Sequence, residues 1–255
     1  MSSASAAQTH STIDASEVAR FNAIAAEWWD ERGKFAPLHW LNPARIGYIR
    51  DQIVQHRQAA QTPHGQSATP LANLSLLDVG AGGGLISEPM ARLGAQVTGI
   101  DAGSENIAVA KLHAQAAGIA IDYRETTAED LANSGAQFDV VLALEIIEHV
   151  ANPGLFYDAL AALVKPGGLL ILSTMNRTIK SYAMAIIGAE YVLRWLPRGT
   201  HQWDHFIKPS EMASALSKRG LRIADTSGLV YRPLSRDFAI NPRDLDVNYL
   251  MVAAK

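Results

Sequence analysis

The sequence predicts an α/β fold with a doubly wound, mostly parallel sheet, and two observations support this prediction. From Leu74 onwards, short apolar segments typical of strands alternate with longer segments typical of helices. The segment Phe138–Ala143 is apolar at nearly every position, which is typical of a strand covered on both faces. We therefore expect helices on both sides of one sheet.

The elements of this sheet can be assigned in order along the chain. An N-terminal helical segment rich in aromatic residues, Ala15–Ile53, precedes a flexible connection, His56–Asn73. The predicted strands are Leu76–Val79, Gln96–Ile100, Ile121–Glu125, Phe138–Ala143, Leu169–Thr174, Arg222–Ser227 and Val247–Ala254. The predicted helices between them are Ile86–Leu93, Ser104–Ala117 with Ser104 as N-cap, Ala128–Ser134, Gly154–Val164 and Pro209–Arg219. We expect the last strand to run antiparallel at the edge, and residues 178–208 to form a helical insertion after the fifth strand.

Composition narrows the class of protein. A chain of 255 residues can bury one sizeable core, so we expect a single domain at 17–255. Residues 1–16 are rich in Ser, Ala and Thr, and we expect them to form a disordered tail. The net charge of -3 gives no electrostatic reason to expect nucleic acid as a partner, and the absence of cysteine excludes disulfides and thiolate chemistry. The N-terminus lacks the basic start and apolar block of a secretory signal. These features favour a cytoplasmic protein.

A glycine-dense turn follows the first predicted strand. Asp78 precedes the glycines at 80, 82, 83 and 84, and Asp101 ends the next predicted strand. A dinucleotide-binding turn would space its glycines as G-x-G-x-x-G, whereas these glycines are bunched. Acceptor groups around such a turn suit a cationic amino-acid tail, and Asp101 is placed to accept hydrogen bonds from ribose hydroxyls. The spacing therefore argues against a dinucleotide oxidoreductase.

These motifs resemble those of class I methyltransferases, which use S-adenosylmethionine (SAM). Asp78–Gly84 resembles their first motif, Asp101 their ribose-binding acid, Phe138–Val141 the strand that passes the adenine, and Leu163–Gly168 the turn before the fifth strand. The resemblance implies a Rossmann-like sheet and SAM as the cofactor.

Segments outside the glycine turn resemble one branch of these enzymes, the bacterial ubiquinone biosynthesis O-methyltransferases. They are Pro37–Arg45, Leu144–Val150, Ser173–Ser181, Gly188–Tyr191, Gly199–His201 and Asp246–Tyr249. The resemblance implies methylation of a phenol hydroxyl on two polyprenylated substrates, 2-polyprenyl-6-hydroxyphenol and 3-demethylubiquinol. The chain departs from the family in having Ala81 where cysteine is common and in its longer His56–Asn73 connection.

The resemblance also implies cofactor-binding roles for particular residues. A guanidinium at Arg45 can pair bidentately with the methionine carboxylate, and glycine lets the backbone approach a ligand closely. Leu144 is suited to line an adenine pocket. The predicted cofactor-binding residues are Arg45, Asp78, Gly80, Gly82, Asp101 and Leu144.

Two carboxylates and an imidazole follow the fourth predicted strand. A phenol is a poor nucleophile while protonated, since its pKa lies near about 10, so a general base or a Lewis-acidic cation is required. If a helix begins here, Glu145, Glu148 and His149 share one face and form a ligand set for Mg²⁺, Mn²⁺ or Zn²⁺. The competing hypotheses are catalysis by His149 and Glu145 without metal, and a motif that only shapes the cofactor pocket.

The insertion after the fifth strand suggests a membrane partner. Tyr182, Tyr191 and Trp195 lie among basic residues within 180–208, a pattern suited to a helix at a bilayer surface. The alternative is a lid over the active site. We expect peripheral association with the inner membrane and membership of a ubiquinone biosynthesis complex.

Two other functions stay open at this point. One is methylation of another small phenol by the same fold. The other is a non-catalytic SAM-binding subunit, against which the Glu145–His149 constellation argues.

Overall fold

The computed structural model describes residues 11–59, 68–183, 203–235 and 237–255. The strands within these residues are β1 Ser75–Val79, β2 Gln96–Asp101, β3 Asp122–Glu125, β4 Phe138–Leu144, β5 Val164–Met175, β6 Arg222–Arg232, β7 Asp237–Asn241 and β8 Asn248–Ala254. They form one eight-stranded sheet in the order β3-β2-β1-β4-β5-β8-β6-β7. Strands β1 to β5 pair in parallel, whereas β6, β7 and β8 join through antiparallel pairs.

Helices cover both faces of this sheet. Within the described residues they are α1 Ala15–Asn22, α2 Ala36–Ala59, α3 Ser87–Arg92, α4 Ser104–Ala116, α5 Ala128–Asn133, α6 Pro153–Leu163, α7 Ile179–Ser181 and α8 Pro209–Ser217. Short 3₁₀ turns occupy Ala25–Glu27, Ile147–His149 and Trp203–His205.

The apolar residues of β4 explain how the sheet is held between the helices. Successive side chains of a strand point to opposite faces, so Val141 packs in the core beneath α5, α6 and α8, while Val140 and Leu142 pack in the core beneath α2 and α3. The predicted doubly wound α/β sheet is thereby confirmed.

The antiparallel end of the sheet differs from the prediction. Strand β8 is antiparallel, as predicted, but it lies between β5 and β6 and not at the edge. Residues Tyr249–Ala254 are buried, which fits a strand with neighbours on both sides. The edge is formed by β7, which pairs with the end of β6 beyond the predicted Ser227 and which the sequence prediction missed.

Two further predictions need correction, one on the N-terminal tail and one on the N-cap of α4. Part of the predicted tail is packed against the domain, since the Thr12 side chain is buried and its hydroxyl donates to Glu129 at 2.6 Å. Ser104 is the first helical residue of α4, and Gly103 takes the N-cap position. Residues 1–10, 60–67 and most of the predicted insertion, 184–202, lie outside the described residues.

Parallel pairing of the strands brings the predicted functional residues to one edge of the sheet. The carboxyl ends of β1, β2 and β4 meet at one edge, where ligands bind in open α/β sheets. Within the described residues, no helix has both the length and the apolar character needed to cross a bilayer.

Candidate functional site

A cavity of about 270 Å³ lies at the carboxyl ends of β1, β2 and β4. All of the site residues predicted from the sequence line it: Arg45, Asp78, Gly80, Gly82, Asp101, Leu144, Glu145, Glu148 and His149. Glu17, Val18 and Phe21 of α1 and the nearby Trp28 also line the cavity. The structure therefore brings together groups that are separated by more than a hundred positions in the sequence.

Arg45 carries an incompletely paired charge into this cavity. It lies on α2 with only 3% of its surface exposed, and its Nη2 donates to Asn42 Oδ1 at 2.6 Å. Its Nε and Nη1 are buried without a hydrogen-bond partner among the described residues. Burial lowers the pKa of Arg45, while the nearby carboxylates of Glu145 and Asp78 raise it. A buried donor without an acceptor is costly, and an anionic ligand would supply that acceptor.

Backbone conformation and neighbouring side chains both require glycine at two positions of the turn. Gly80 and Gly82 have φ values of 74° and 53°, which favour glycine over other residues. A Cβ at Gly80 would lie 2.3 Å from Ile146, and one at Gly82 would lie 2.4 Å from Trp28. Trp28 is thus packed directly on the turn, and its indole donates to Asn106 Oδ1 at 2.8 Å.

Asp101 is fixed at the end of β2 by three hydrogen bonds. Its Oδ2 accepts from the Gly82 amide at 3.0 Å, and its Oδ1 accepts from the Gly103 amide at 2.7 Å and from Asn106 Nδ2 at 3.1 Å. Burial raises the pKa of Asp101, although these hydrogen bonds oppose the shift. The carboxylate therefore links the glycine turn to α4 at the position predicted to bind ribose hydroxyls.

Asp78 provides a second buried acid on β1. The Ser87 hydroxyl donates to its Oδ2 at 2.6 Å, and only 3% of the residue is exposed. Burial raises the pKa of Asp78 to about 6, while Ser87 and Arg45 act in the opposite direction. Asp78 is thus an acceptor within electrostatic reach of the incompletely paired guanidinium of Arg45.

Glu145 connects the end of β4 to two other strands. Its φ of 52° marks a left-handed turn directly after Leu144. The Ser173 hydroxyl donates to Oε1 at 2.6 Å, and Asn248 Nδ2 lies 3.0 Å from both carboxylate oxygens. Strands β5 and β8 therefore fix this carboxylate at the cavity wall.

Glu148 and His149 have different partners again. Thr174 Oγ1 donates to Glu148 Oε2 at 2.9 Å, and burial together with the Glu145 charge raises the pKa of Glu148 to about 7. His149 Nδ1 lies 2.8 Å from Glu17 Oε2 on α1. Burial lowers the pKa of His149, but the hydrogen bond to Glu17 and the charge of Glu148 outweigh it, so the net shift is upward.

The predicted metal centre is not formed by this arrangement. Residues Ile147–His149 form a 3₁₀ turn rather than the start of an α-helix, so the expected shared helical face does not exist. Glu145, Glu148 and His149 each bind a different partner. In the described parts of the chain, no three His, Asp or Glu side chains are grouped so that they can hold a metal ion.

Several residues of the site were missed by the sequence analysis. Glu17, Trp28 and Asn106 reach the cavity through tertiary contacts, and nothing in their local pattern marks them. Ser173 and Asn248 fix Glu145, and both belong to segments that carried the family resemblance. Of the predicted insertion at 178–208, which includes the predicted membrane segment, the structure describes only the ends, where Ile179 is 86% exposed and Tyr182 is 45% exposed.

Known proteins match this chain in sequence. Residues 49–226 match a family model described as a methyltransferase domain. A curated protein of Azorhizobium caulinodans, the ubiquinone biosynthesis O-methyltransferase, is 52% identical over 243 residues, covering 95% of this chain and 94% of that protein. The protein of the same name from Brucella ovis is 52% identical over 245 residues, covering 96% of each chain.

Solved structures support the fold. The magnesium protoporphyrin IX methyltransferase of Synechocystis, determined with bound SAM, matches with a TM-score of 0.59 at 19% identity over 97% of this chain and 100% of that chain. The N-methyltransferase NodS of Bradyrhizobium japonicum, in complex with S-adenosyl-L-homocysteine, matches with a TM-score of 0.58 at 14% identity over 94% and 97% of the two chains. At these identities the likeness shows the fold alone.

Proposed function

Because this chain belongs to the ubiquinone biosynthesis O-methyltransferase family, we propose that the cavity binds SAM and transfers its methyl group to a ring hydroxyl of a polyprenylated phenol. The two acceptors we propose are 2-polyprenyl-6-hydroxyphenol and 3-demethylubiquinol. The observation that carries the proposal is the buried guanidinium of Arg45, whose Nε and Nη1 have no partner within the described chain.

The residues around Arg45 fit the parts of SAM. Arg45 is suited to the methionine carboxylate, and Asp78 to the ammonium group beside it. Asp101 accepts hydrogen bonds at the ribose position, Gly80 and Gly82 let the backbone approach, and Leu144 supplies an apolar wall for the base. When bound, the cofactor's sulfonium supplies a methyl group that is already activated. The protein's main task is therefore to position the two reactants.

His149 is the residue we assign to the acceptor's proton. In the neutral imidazole one nitrogen donates and the other accepts. With Nδ1 2.8 Å from the Glu17 carboxylate, Nδ1 carries the hydrogen and Nε2 is left as the acceptor. Nε2 would take the proton of the acceptor hydroxyl as that oxygen accepts the methyl group, while the electron pair of the broken S–C bond would stay on the sulfur of the leaving S-adenosyl-L-homocysteine. His149 would be left as an imidazolium paired with Glu17.

Glu145 has a supporting role in this proposal. Its carboxylate is held by Ser173 and Asn248 and lies within electrostatic reach of Arg45. It keeps the Leu144 turn fixed at the cofactor wall and contributes negative charge near the cationic methyl donor. Its place beside the cavity supports the predicted catalytic importance of this position.

A metal-dependent route is the second hypothesis for activating the phenol. The carboxylates of Glu145 and Glu148 repel each other, and a divalent cation would relieve that repulsion, but His149 would have to release Glu17 to join them. We expect full activity to survive rigorous chelation. Loss of activity on chelation, with recovery on adding Mg²⁺, would show that the three side chains regroup around a cation.

The function is tested by methylation of a short-tailed demethylubiquinol. We expect the purified protein to form an O-methyl product that depends on both SAM and the quinol, and to accept a short-tailed 2-polyprenyl-6-hydroxyphenol as well. Binding of SAM without turnover on either acceptor would instead support a non-catalytic binding subunit. Turnover only on unrelated phenols would confirm O-methylation but contradict the proposed substrates.

We also propose that the chain contacts the bilayer through residues 180–208, at the cytoplasmic face of the inner membrane. A polyprenyl tail stays in the membrane because each buried CH₂ contributes about 0.8 kcal/mol, so the enzyme must approach it there. The exposed side chains of Ile179 and Tyr182, flanking Lys180, support this proposal at one end of the segment. Deletion of residues 182–196 should abolish binding to anionic liposomes in a folded protein. Unchanged liposome binding would contradict the proposal.

A further inference from the structure

A second cavity of about 570 Å³ lies on the far side of His149. Its wall is formed by the loop after β4, the start of α6 and the 3₁₀ turn Trp203–His205. It shares Glu17, Glu148 and His149 with the cofactor cavity. A molecule in this second cavity therefore reaches the same imidazole that faces the first one.

The second cavity also contains a buried hydroxyl that lacks a partner. Tyr157, on α6, lines it with only 5% of its surface exposed, and its hydroxyl oxygen has no hydrogen-bond partner among the described residues. The guanidinium of Arg219 lies 5.5 Å from the ring centre. Because buried polar groups are normally paired, this hydroxyl is a donor that a ligand can satisfy.

Charged side chains that line the second cavity act on the Tyr157 hydroxyl. Burial raises the pKa of Tyr157, Arg219 opposes the shift, and the carboxylates of Glu148 and Glu211 add to it. Both of these carboxylates line the second cavity. The phenol of Tyr157 therefore stays protonated at neutral pH and keeps a hydrogen that it can donate.

We propose that this second cavity binds the aromatic ring of the methyl acceptor, with the Tyr157 hydroxyl donating to the ring oxygen that is not methylated. The inference rests on the proposed function, whose acceptors carry neighbouring oxygens on one ring. A ring bound in this way presents its reactive hydroxyl to His149 and a second oxygen to Tyr157. The volume is within the about 300–1,000 Å³ that is usual for small-molecule sites.

Equilibrium binding of a short-tailed demethylubiquinol, measured by protein fluorescence without oxygen and with S-adenosyl-L-homocysteine present, tests the inference. Tyr157→Phe removes only the hydroxyl, so we expect acceptor binding to weaken about three- to tenfold, with cofactor binding unchanged. Tyr123→Phe is the matched control, because its hydroxyl is also buried and unpartnered within the described chain but lies outside both cavities. We expect this control to leave acceptor binding unchanged.

A second variant fills the cavity instead of removing a contact. Ala151 is exposed and lines the second cavity, so Ala151→Trp should weaken acceptor binding more strongly than Tyr157→Phe, again without changing cofactor binding. Acceptor binding that is unaffected by both variants would overturn the inference. Wild-type protein that binds the quinol at this cavity but does not methylate it would contradict the proposed function and leave the acceptor site standing.

Discussion

At the scale of single residues, Arg45 provides the most specific test of cofactor binding. Two donors of a buried guanidinium lack partners among the described residues, so Arg45→Met should weaken SAM binding about 10- to 100-fold through the loss of a charge-assisted pair. Arg45→Lys should recover only part of this loss because an ammonium cannot bind bidentately. Calorimetric titration measures both effects. Arg50→Met is the control, since Arg50 lies on the same helix but is exposed.

Glu17 tests the assignment of His149 as the base. Glu17→Ala should lower kcat about 100-fold because the imidazole loses the group that holds its tautomer and orientation. SAM affinity and the acceptor KM should change little. Glu17→Gln retains an acceptor for Nδ1 and should recover most of the lost rate. Equal losses in the Ala and Gln variants, or an effect confined to KM, would show that Glu17 only packs against His149.

The exposed glutamate Glu105 provides the comparison for Glu17. It lies in the first turn of α4 and outside both cavities. Glu105→Ala should leave kcat unchanged in the same assay, which separates a local effect on His149 from a general effect of removing a helical carboxylate.

The raised pKa of Asp78 predicts how the free energy of unfolding depends on pH in the absence of ligand. Its pKa rises from the ordinary 3.8 to about 6 on folding, so the folded state binds more protons between these values. The contribution of Asp78 to the free energy of unfolding is therefore fully present at low pH and is lost as pH rises through about 6. The stability of the wild type relative to Asp78→Asn should fall by about 3 kcal/mol between about pH 3 and about pH 8. A pH-independent difference in denaturant unfolding would contradict this.

Some site residues could be predicted from the local sequence, and others could not. The glycine turn and Asp101 could be predicted because local spacing at two strand ends determines their geometry. Arg45 was located through family resemblance and the Glu145–His149 segment through the chemistry that a phenol acceptor requires. Both line the cavity. Glu17 and Tyr157 could not be predicted, because their roles depend on tertiary packing of α1 and α6 around the loop after β4.

At the scale of elements, the contact between the glycine turn and the N-terminal aromatic residues can be measured. Gly82 and Gly118 both have positive φ, but a Cβ at Gly82 would lie 2.4 Å from Trp28, whereas one at Gly118 meets nothing within 4 Å. Gly118→Ala should cost about 1–2 kcal/mol of unfolding free energy from backbone strain alone. Gly82→Ala should cost a further ~1–3 kcal/mol because it overpacks the indole.

Denaturant unfolding of the two glycine variants gives this comparison directly. Equal destabilisation would show that Trp28 moves aside freely, and that the N-terminal segment does not hold the turn. A larger loss at Gly82 should be accompanied by weaker SAM binding, since both Gly82 and Trp28 line the cofactor cavity.

The errors of prediction at this scale also have physical causes. The carboxylates and imidazole after β4 suggested one helical face, but the left-handed backbone at Glu145 and the 3₁₀ turn after it spread their side chains in different directions. The prediction of β8 at the edge was wrong because the position of a strand in a sheet depends on long-range pairing, which a linear pattern does not encode. Strand β7 is short and only half-buried, so its apolar pattern is weak.

At the scale of the whole molecule, two cavities meet at His149. The cofactor cavity is built from the carboxyl ends of the parallel strands, and the second cavity from α6 and the turn before α8. Methyltransferases under 25% identical share the fold over 97% and 94% of this chain. The elements that surround His149 from the other side are where we expect specificity for the phenolic acceptor to be determined.

The most direct test is methyl transfer from isotopically labelled SAM to a short-tailed demethylubiquinol, with wild-type protein and His149→Ala compared at saturating SAM. We expect the label on a ring oxygen in the wild-type reaction. We expect the variant to bind SAM normally and to form product at least about 100-fold more slowly. Label on carbon, no labelled product from a wild type that binds SAM, or full activity in His149→Ala would each contradict oxygen methylation with His149 as the base.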